Sequence, residues 1–202
     1  METVKKRRHV WIWITILSAT ILMLAALGWK LYNTLPIYDN FRKQVATISE
    51  LRKELNRNED MRNFILMDLT EFDYEISDIE TVMDGRNRRA LPVSFSVSFL
   101  PMSGSEYTFG LGGGLVKNDP NRFQQLTEEY RGTPSQCKIT KPNVSDLNGY
   151  VELYLTIGSY YYWFGGSFNA ENLTKEEIIT QEEQLKQLLY SMADWVIDSV
   201  PR

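Results

Sequence analysis

The scarcest reactive side chains in this 202-residue sequence are its one histidine and its one cysteine, and their positions limit the chemistry available. His9 closes the basic stretch Lys5-Lys6-Arg7-Arg8 just before a long apolar run, whereas Cys137 sits far along the chain in Gln-Cys-Lys-Ile-Thr. A nucleophile needs a base within hydrogen-bond reach, and a metal-bound imidazole needs neighbouring donors. Ser-His and Cys-His pairs and histidine-ligated metals are therefore not expected in the body of the chain. A lone cysteine forms no internal disulfide and reads as a buried, inert thiol. Glycoside hydrolysis would need two facing carboxyl groups. Many of the carboxylates, however, fall in one segment (Asp68, Glu71, Asp73, Glu75, Asp78, Glu80), and the glycine that a calcium loop requires at its sixth position is missing. Gly112-Gly113-Gly114 has neither spacing of a phosphate-cradling loop. No catalytic residue, metal or cofactor is expected, and the chain reads as non-enzymatic. The strongest binding candidate is Tyr160-Tyr161-Tyr162-Trp163-Phe164. Its residues Tyr160, Tyr162, Trp163 and Phe164 form either an aromatic docking surface or a central strand covered on both sides.

The elements that must position these residues start with Val10–Trp29, a run of twenty uncharged residues. At ~1.5 Å per residue it would span ~30 Å, the thickness of a bilayer's hydrocarbon core. Trp11 and Trp13 flank one end and Trp29 the other, the levels at which indoles favour a membrane interface. The preceding basic residues predict a cytoplasmic tail over residues 1–9, a signal-anchor over 10–29, and an extracytoplasmic remainder in a plasma (inner) membrane protein. A cleavable signal peptide cut after Gly28 is the competing reading, although the apolar run exceeds the usual length of one. Residues 1–30 hold five basic and one acidic side chain, against 17 and 25 in the rest. That acidic remainder argues against nucleic acid as a partner.

Residues 36–84 read as a helical, coiled-coil-like stalk. Tyr38, Phe41, Val45, Ile48 and Leu55 recur at steps compatible with a seam, and Ile65, Leu69, Phe72, Ile76, Ile79 and Met83 step 4-3-4-3-4. Phe41, Val45, Ile48 and Leu55 are the expected contacts for self-association or a protein partner. Gly85 would terminate the second helix.

Residues 90–202 read as a small α+β domain. Val93, Phe95, Val97 and Phe99 alternate with serines, and Tyr107, Phe109 and Leu111 line a return strand that Gly112–Gly114 ends as a connector. Asn118-Asp119-Pro120 opens a helix carrying Phe123, Leu126 and Tyr130. Val151–Ile157 and Tyr160–Phe164 form a hairpin across Gly158-Ser159. Thr174 and Glu177 make a capping box for a final helix with Ile178, Leu185, Leu188, Leu189, Met192, Trp195 and Val196 on one stripe. Two tandem helix-strand-strand units of this kind resemble, in layout, the small permuted ferredoxin-like domains of bitopic assembly proteins in type II secretion and type IV pilus platforms. The functional expectation is a structural subunit of a bacterial cell-envelope complex. The alternative is an extracytoplasmic module binding a small ligand or wall fragment on the aromatic sheet.

Overall fold

A computed structural model describes residues 17–31, 40–67, 74–85, 90–101, 107–118, 120–123 and 126–201. Its centre is an eight-stranded antiparallel sheet in the order β1-β2-β3-β4-β8-β7-β6-β5. The strands are β1 (Phe41–Gln44), β2 (Tyr74–Asp84), β3 (Leu91–Pro101), β4 (Tyr107–Leu115), β5 (Glu128–Tyr130), β6 (Thr133–Thr140), β7 (Asn148–Ile157) and β8 (Tyr160–Asn169). Two four-stranded meanders thus lie side by side and join where β4 pairs with β8, Leu111 opposite Phe164. The helices are α1 (residues 17–31), α2 (Ile48–Leu55), α3 (Pro120–Phe123) and α4 (Lys175–Asp198).

This overturns the expected fold. The sheet is large rather than small, and its consecutive antiparallel meanders replace the ferredoxin-like layout. The stalk over 36–84 is replaced by β1, the two-turn α2 and the eleven-residue β2, with no long coiled coil among the described residues. A bulge explains the misreading. In a regular strand inward residues recur every second position, but the register with β3 shifts between Ile76 and Asp78. The extra residue, Ser77, sets Ile76 and Ile79 three apart, and Met83 follows Ile79 at four by two ordinary strand steps, so the run imitates a helix. Thr81, between the last two, is fully buried, as a strand requires and a heptad does not. Leu69 and Phe72 lie outside the described residues. Gly85 follows a strand instead of closing a helix.

The membrane span is corrected as well. Among the described residues no helix is long and apolar enough to cross a bilayer. Within 10–29 the described part, residues 17–29, belongs to α1. The single-pass placement, with a cytoplasmic N-terminus and the domain across the membrane, rested on that span and falls with it. Trp29 lies on α1 and is exposed; Trp11 and Trp13 lie outside the described residues.

One face of the sheet carries the core. Phe95, Val97 and Phe99 of β3 meet Phe109, Leu111 and Leu115 of β4, Tyr162, Phe164 and Phe168 of β8, and Val151, Leu153 and Leu155 of β7. Leu51 and Leu55 of α2, then Met61 and Phe64, cover one half; Leu185, Leu189, Met192 and Val196 of α4 cover the other. The sequence starts both helices clearly. Thr47 caps α2, its hydroxyl accepting from the Glu50 N–H at 3.1 Å. Thr174 and Glu177 cap α4 reciprocally, as their spacing predicts. Hydrogen bonds from the Thr174 backbone and hydroxyl hold the Glu177 carboxyl below the usual range.

Candidate functional site

The opposite face of the sheet is where chemistry gathers. Strand alternation sends Ser94, Ser96 and Ser98 of β3 and Gly110, Gly112 and Gly114 of β4 to that side, away from the core. From β8 come Tyr161, Trp163, Gly165 and Ser167, and from β7 come Tyr150, Glu152, Tyr154 and Thr156. Among the described residues no helix longer than the single turn of α3 lies on this face. That turn sits at one end, where the segment leaving β4 crosses toward β5 at the far edge. Phe123 stacks on Tyr161 with centroids 3.8 Å apart and planes 5° from parallel, and the Phe123 carbonyl accepts from the Thr156 hydroxyl at 3.2 Å.

Trp163 is the middle of the face. Its six-membered ring rests over three residues without side chains. A Cβ placed on Gly110 would stand 3.4 Å from Cζ3 of the indole, and one on Gly112 3.4 Å from Cε3. One on Gly165 would collide with Cζ2. Gly165 is thus what lets the indole lie against the sheet, whereas at Gly110 and Gly112 a Cβ would only touch the ring and would stand closer to the carbonyl oxygens of Val97, at 3.1 Å, and Phe95, at 2.7 Å. The ring is fixed at its edge, where Nε1–H donates to Oε1 of Glu152 at 3.1 Å. The Tyr154 hydroxyl donates to the same oxygen at 2.7 Å. Oε2 of Glu152 accepts from no described residue. On the other flank the hydroxyls of Thr108 and Ser167 stand 2.6 Å apart.

Two hollows share Trp163 and Glu152. The larger, about 540 Å³, is lined by Ser77, Ser98, Thr108, Tyr150 and Ser167 around that pair, and among its described lining residues the one formal charge is the Glu152 carboxylate. The smaller, about 340 Å³, lies toward Tyr154, Tyr161 and Phe123 and includes Arg42 and Glu80, which are paired to each other at 2.9 Å. Lys138, directly opposite Glu152 on β6, is exposed and not part of either lining.

The structure divides the residues singled out from sequence. Val45 and Leu55 are buried in the core, Ile48 packs against it, and Phe41 is exposed on the edge strand β1, so the four form no shared seam. Tyr162 and Phe164 point into the core, and Tyr160 packs against it. Burial pushes the Tyr162 phenol up, and its oxygen accepts from the Ile65 N–H at 3.3 Å. Only Trp163 of the named aromatic run faces the open side, together with Tyr161. Sequence reasoning missed Glu152, Tyr154 and the part played by the glycines. The available signal was the polar alternation Glu152-Tyr154-Thr156 on a strand whose other side is wholly apolar. Cys137 is half-buried, and burial raises its thiol. Ser135 and Lys138 have the Ser-x-x-Lys spacing of some nucleophilic enzymes, but Ser135 is buried on the core side while Lys138 lies on the other, so they form no pair.

The fold and site together define an open-faced antiparallel α+β domain with an aromatic-carboxylate platform. Compared with known proteins, the chain matches no family model, no curated protein and no solved structure.

Proposed function

We propose that this chain is a binding module that holds a small ligand on the open face of its sheet. The observation that carries the reading is Trp163, seated on Gly110, Gly112 and Gly165 with its Nε1–H tied to Glu152. An indole normally fills a core; here it floors a hollow of about 540 Å³, within the range of small-molecule pockets. A few convergent polar groups in an otherwise aromatic concavity are what orient a ligand. The carboxylate has no second carboxyl group beside it in that lining, which favours binding over acid-base catalysis of the glycosidase kind. Packing of the helical residues Leu51 and Leu55 into the core weighs against assembly through a stalk.

The test is a two-dimensional NMR titration of the full chain that follows its indole N–H resonances, with Trp163 assigned through Trp163→Phe. The titrants are small amines, saccharides, nucleosides and amino acids. At least one class should move the Trp163 resonance while Trp195, on α4, stays in place. Movement of neither, or of Trp195 alone, would overturn the proposal.

A further inference from the structure

Resting on that reading, we infer that the ligand is an organic cation, an ammonium group seated between the Trp163 ring and the Glu152 carboxylate. Charge decides the class. Among the described residues lining the larger hollow, Glu152 carries the only formal charge, and the Arg42 of the adjoining hollow is paired with Glu80 at 2.9 Å. The nearest basic group by register, Lys138, belongs to the exposed rim. A ligand that fills the hollow strips water from this carboxylate, and removing an ion from water is unfavourable unless a counter-charge replaces the lost hydration. A neutral ligand, such as a saccharide, would leave that penalty uncompensated. An ammonium cancels it.

The carboxylate is also prepared for this task. Two donors, Trp163 Nε1–H at 3.1 Å and the Tyr154 hydroxyl at 2.7 Å, converge on Oε1 and fix the group. Oε2 is left to accept from or lie beside a cation. Hydrogen-bonding its N–H to a carboxylate makes the indole more electron-rich, and Trp is the best of the aromatic faces for holding a cation. The hydroxyls of Ser98, Thr108 and Ser167 on the opposite wall add acceptors for N–H groups or for a hydroxylated tail. The chain's formal net charge of −4 favours approach of a cation from a distance.

The test uses tetramethylammonium and choline, with 3,3-dimethylbutan-1-ol as choline's neutral isostere and N-acetylglucosamine as a saccharide, all titrated into the full chain. Both cations should shift the Trp163 indole resonance, and choline should bind roughly tenfold or more tightly than the neutral alcohol. Glu152→Gln keeps an oxygen for Trp163 and Tyr154 and removes only the charge; its choline affinity should fall about tenfold or more with melting temperature little changed. Trp163→Leu, measured by calorimetry because the probe is gone, should lose choline binding. Equal binding of choline and its isostere, or unchanged affinity in Glu152→Gln, would overturn the cation assignment. N-acetylglucosamine moving Trp163 while both cations do not would also overturn it, yet leave the binding module standing. If no compound of either titration series moved Trp163, both would fall.

Discussion

On β4 one side of the strand presents Phe109, Leu111 and Leu115 while the other presents Gly110, Gly112 and Gly114, and the two faces of the whole sheet differ in the same sense. The core face also has glycines, but there a helix or loop fills the space they leave. A Cβ on Gly113 would collide with the ring of Phe64, and one on Gly166 would stand 2.5 Å from Leu185. Phe64 is held in that gap from several sides: edge-on to Phe95 at 5.1 Å between centroids, against Tyr162 at 4.6 Å, and through its carbonyl, which accepts from Arg52 at 2.7 Å. On the open face the Trp163 ring takes the space over Gly165, Ser94 and the Tyr161 hydroxyl close on Gly114, and a hollow remains beside Gly110. Absent side chains thus do two jobs in one sheet. They admit a plug from the chain itself on one side and leave room for something else on the other.

If that contrast is right, substitutions should separate stability from ligand response. The largest stability effect should come from Leu189→Ala, since Leu189 is fully buried on the inner side of α4. It should cost about 2–5 kcal/mol in chemical denaturation while leaving the Trp163 resonance responsive to ligand in the folded fraction. Next is a matched glycine pair. Gly113→Ala meets both Phe64 and the Tyr161 carbonyl oxygen and should cost about 2–3 kcal/mol, whereas Gly110→Ala, whose nearest atom is 3.1 Å away, should cost about 1 kcal/mol. Gly110→Ala should nonetheless perturb the Trp163 resonance more than Gly113→Ala does. Equal costs with no displacement of the indole would break the comparison. Thr174→Ala, which removes the cap of the helix covering the core face, should cost about 1 kcal/mol with ligand response intact.

The smallest effect concerns acid. Burial raises the Glu54 carboxyl, but hydrogen bonds from Lys43 at 2.7 Å and Arg57 at 2.6 Å outweigh it and hold the group below its ordinary value. A carboxyl depressed in the folded state contributes stability above its unfolded pKa of about 4.3, and that contribution is lost as pH falls through the folded value. Glu54→Gln should therefore lower the melting temperature slightly at pH 7 and shrink the drop between pH 5 and pH 2.5. The ion pairs are partly exposed, so the change is modest and fades in high salt.

Much of the sheet was legible wherever alternation was uninterrupted. Val93–Phe99 reads as a half-buried strand from its serines, and the Gly158-Ser159 turn sets Ile157 opposite Tyr160 as its two-residue length requires. What misled was always a local exception. The bulge at Ser77 converted period two into a false heptad over Ile76–Met83. The glycines of β4 looked like a connector because their pairing rests on the backbone of β3 and β8, which sequence does not display. The helix at Pro120–Phe123 does not carry Tyr130, which lies in β5 and donates its hydroxyl to Asp194 of α4 at 2.9 Å. The aromatic run, read from sequence as either a docking surface or a strand covered on both sides, has two unlike faces. Its residues split by alternation, Tyr162 and Phe164 into the core and Tyr161 and Trp163 to the open side. Glu152 could not be tied to Trp163 until the register put Tyr154 opposite Trp163.

That split offers the most direct measurement, because four consecutive residues of one strand must behave in alternation. Hydroxyl-radical footprinting of the full chain, read by mass spectrometry at single residues, should oxidise Trp163 and Tyr161 readily and leave Tyr162 and Phe164 protected. Slow oxidation of Trp163, matching that of Phe164, would mean that both faces are covered and would contradict the account.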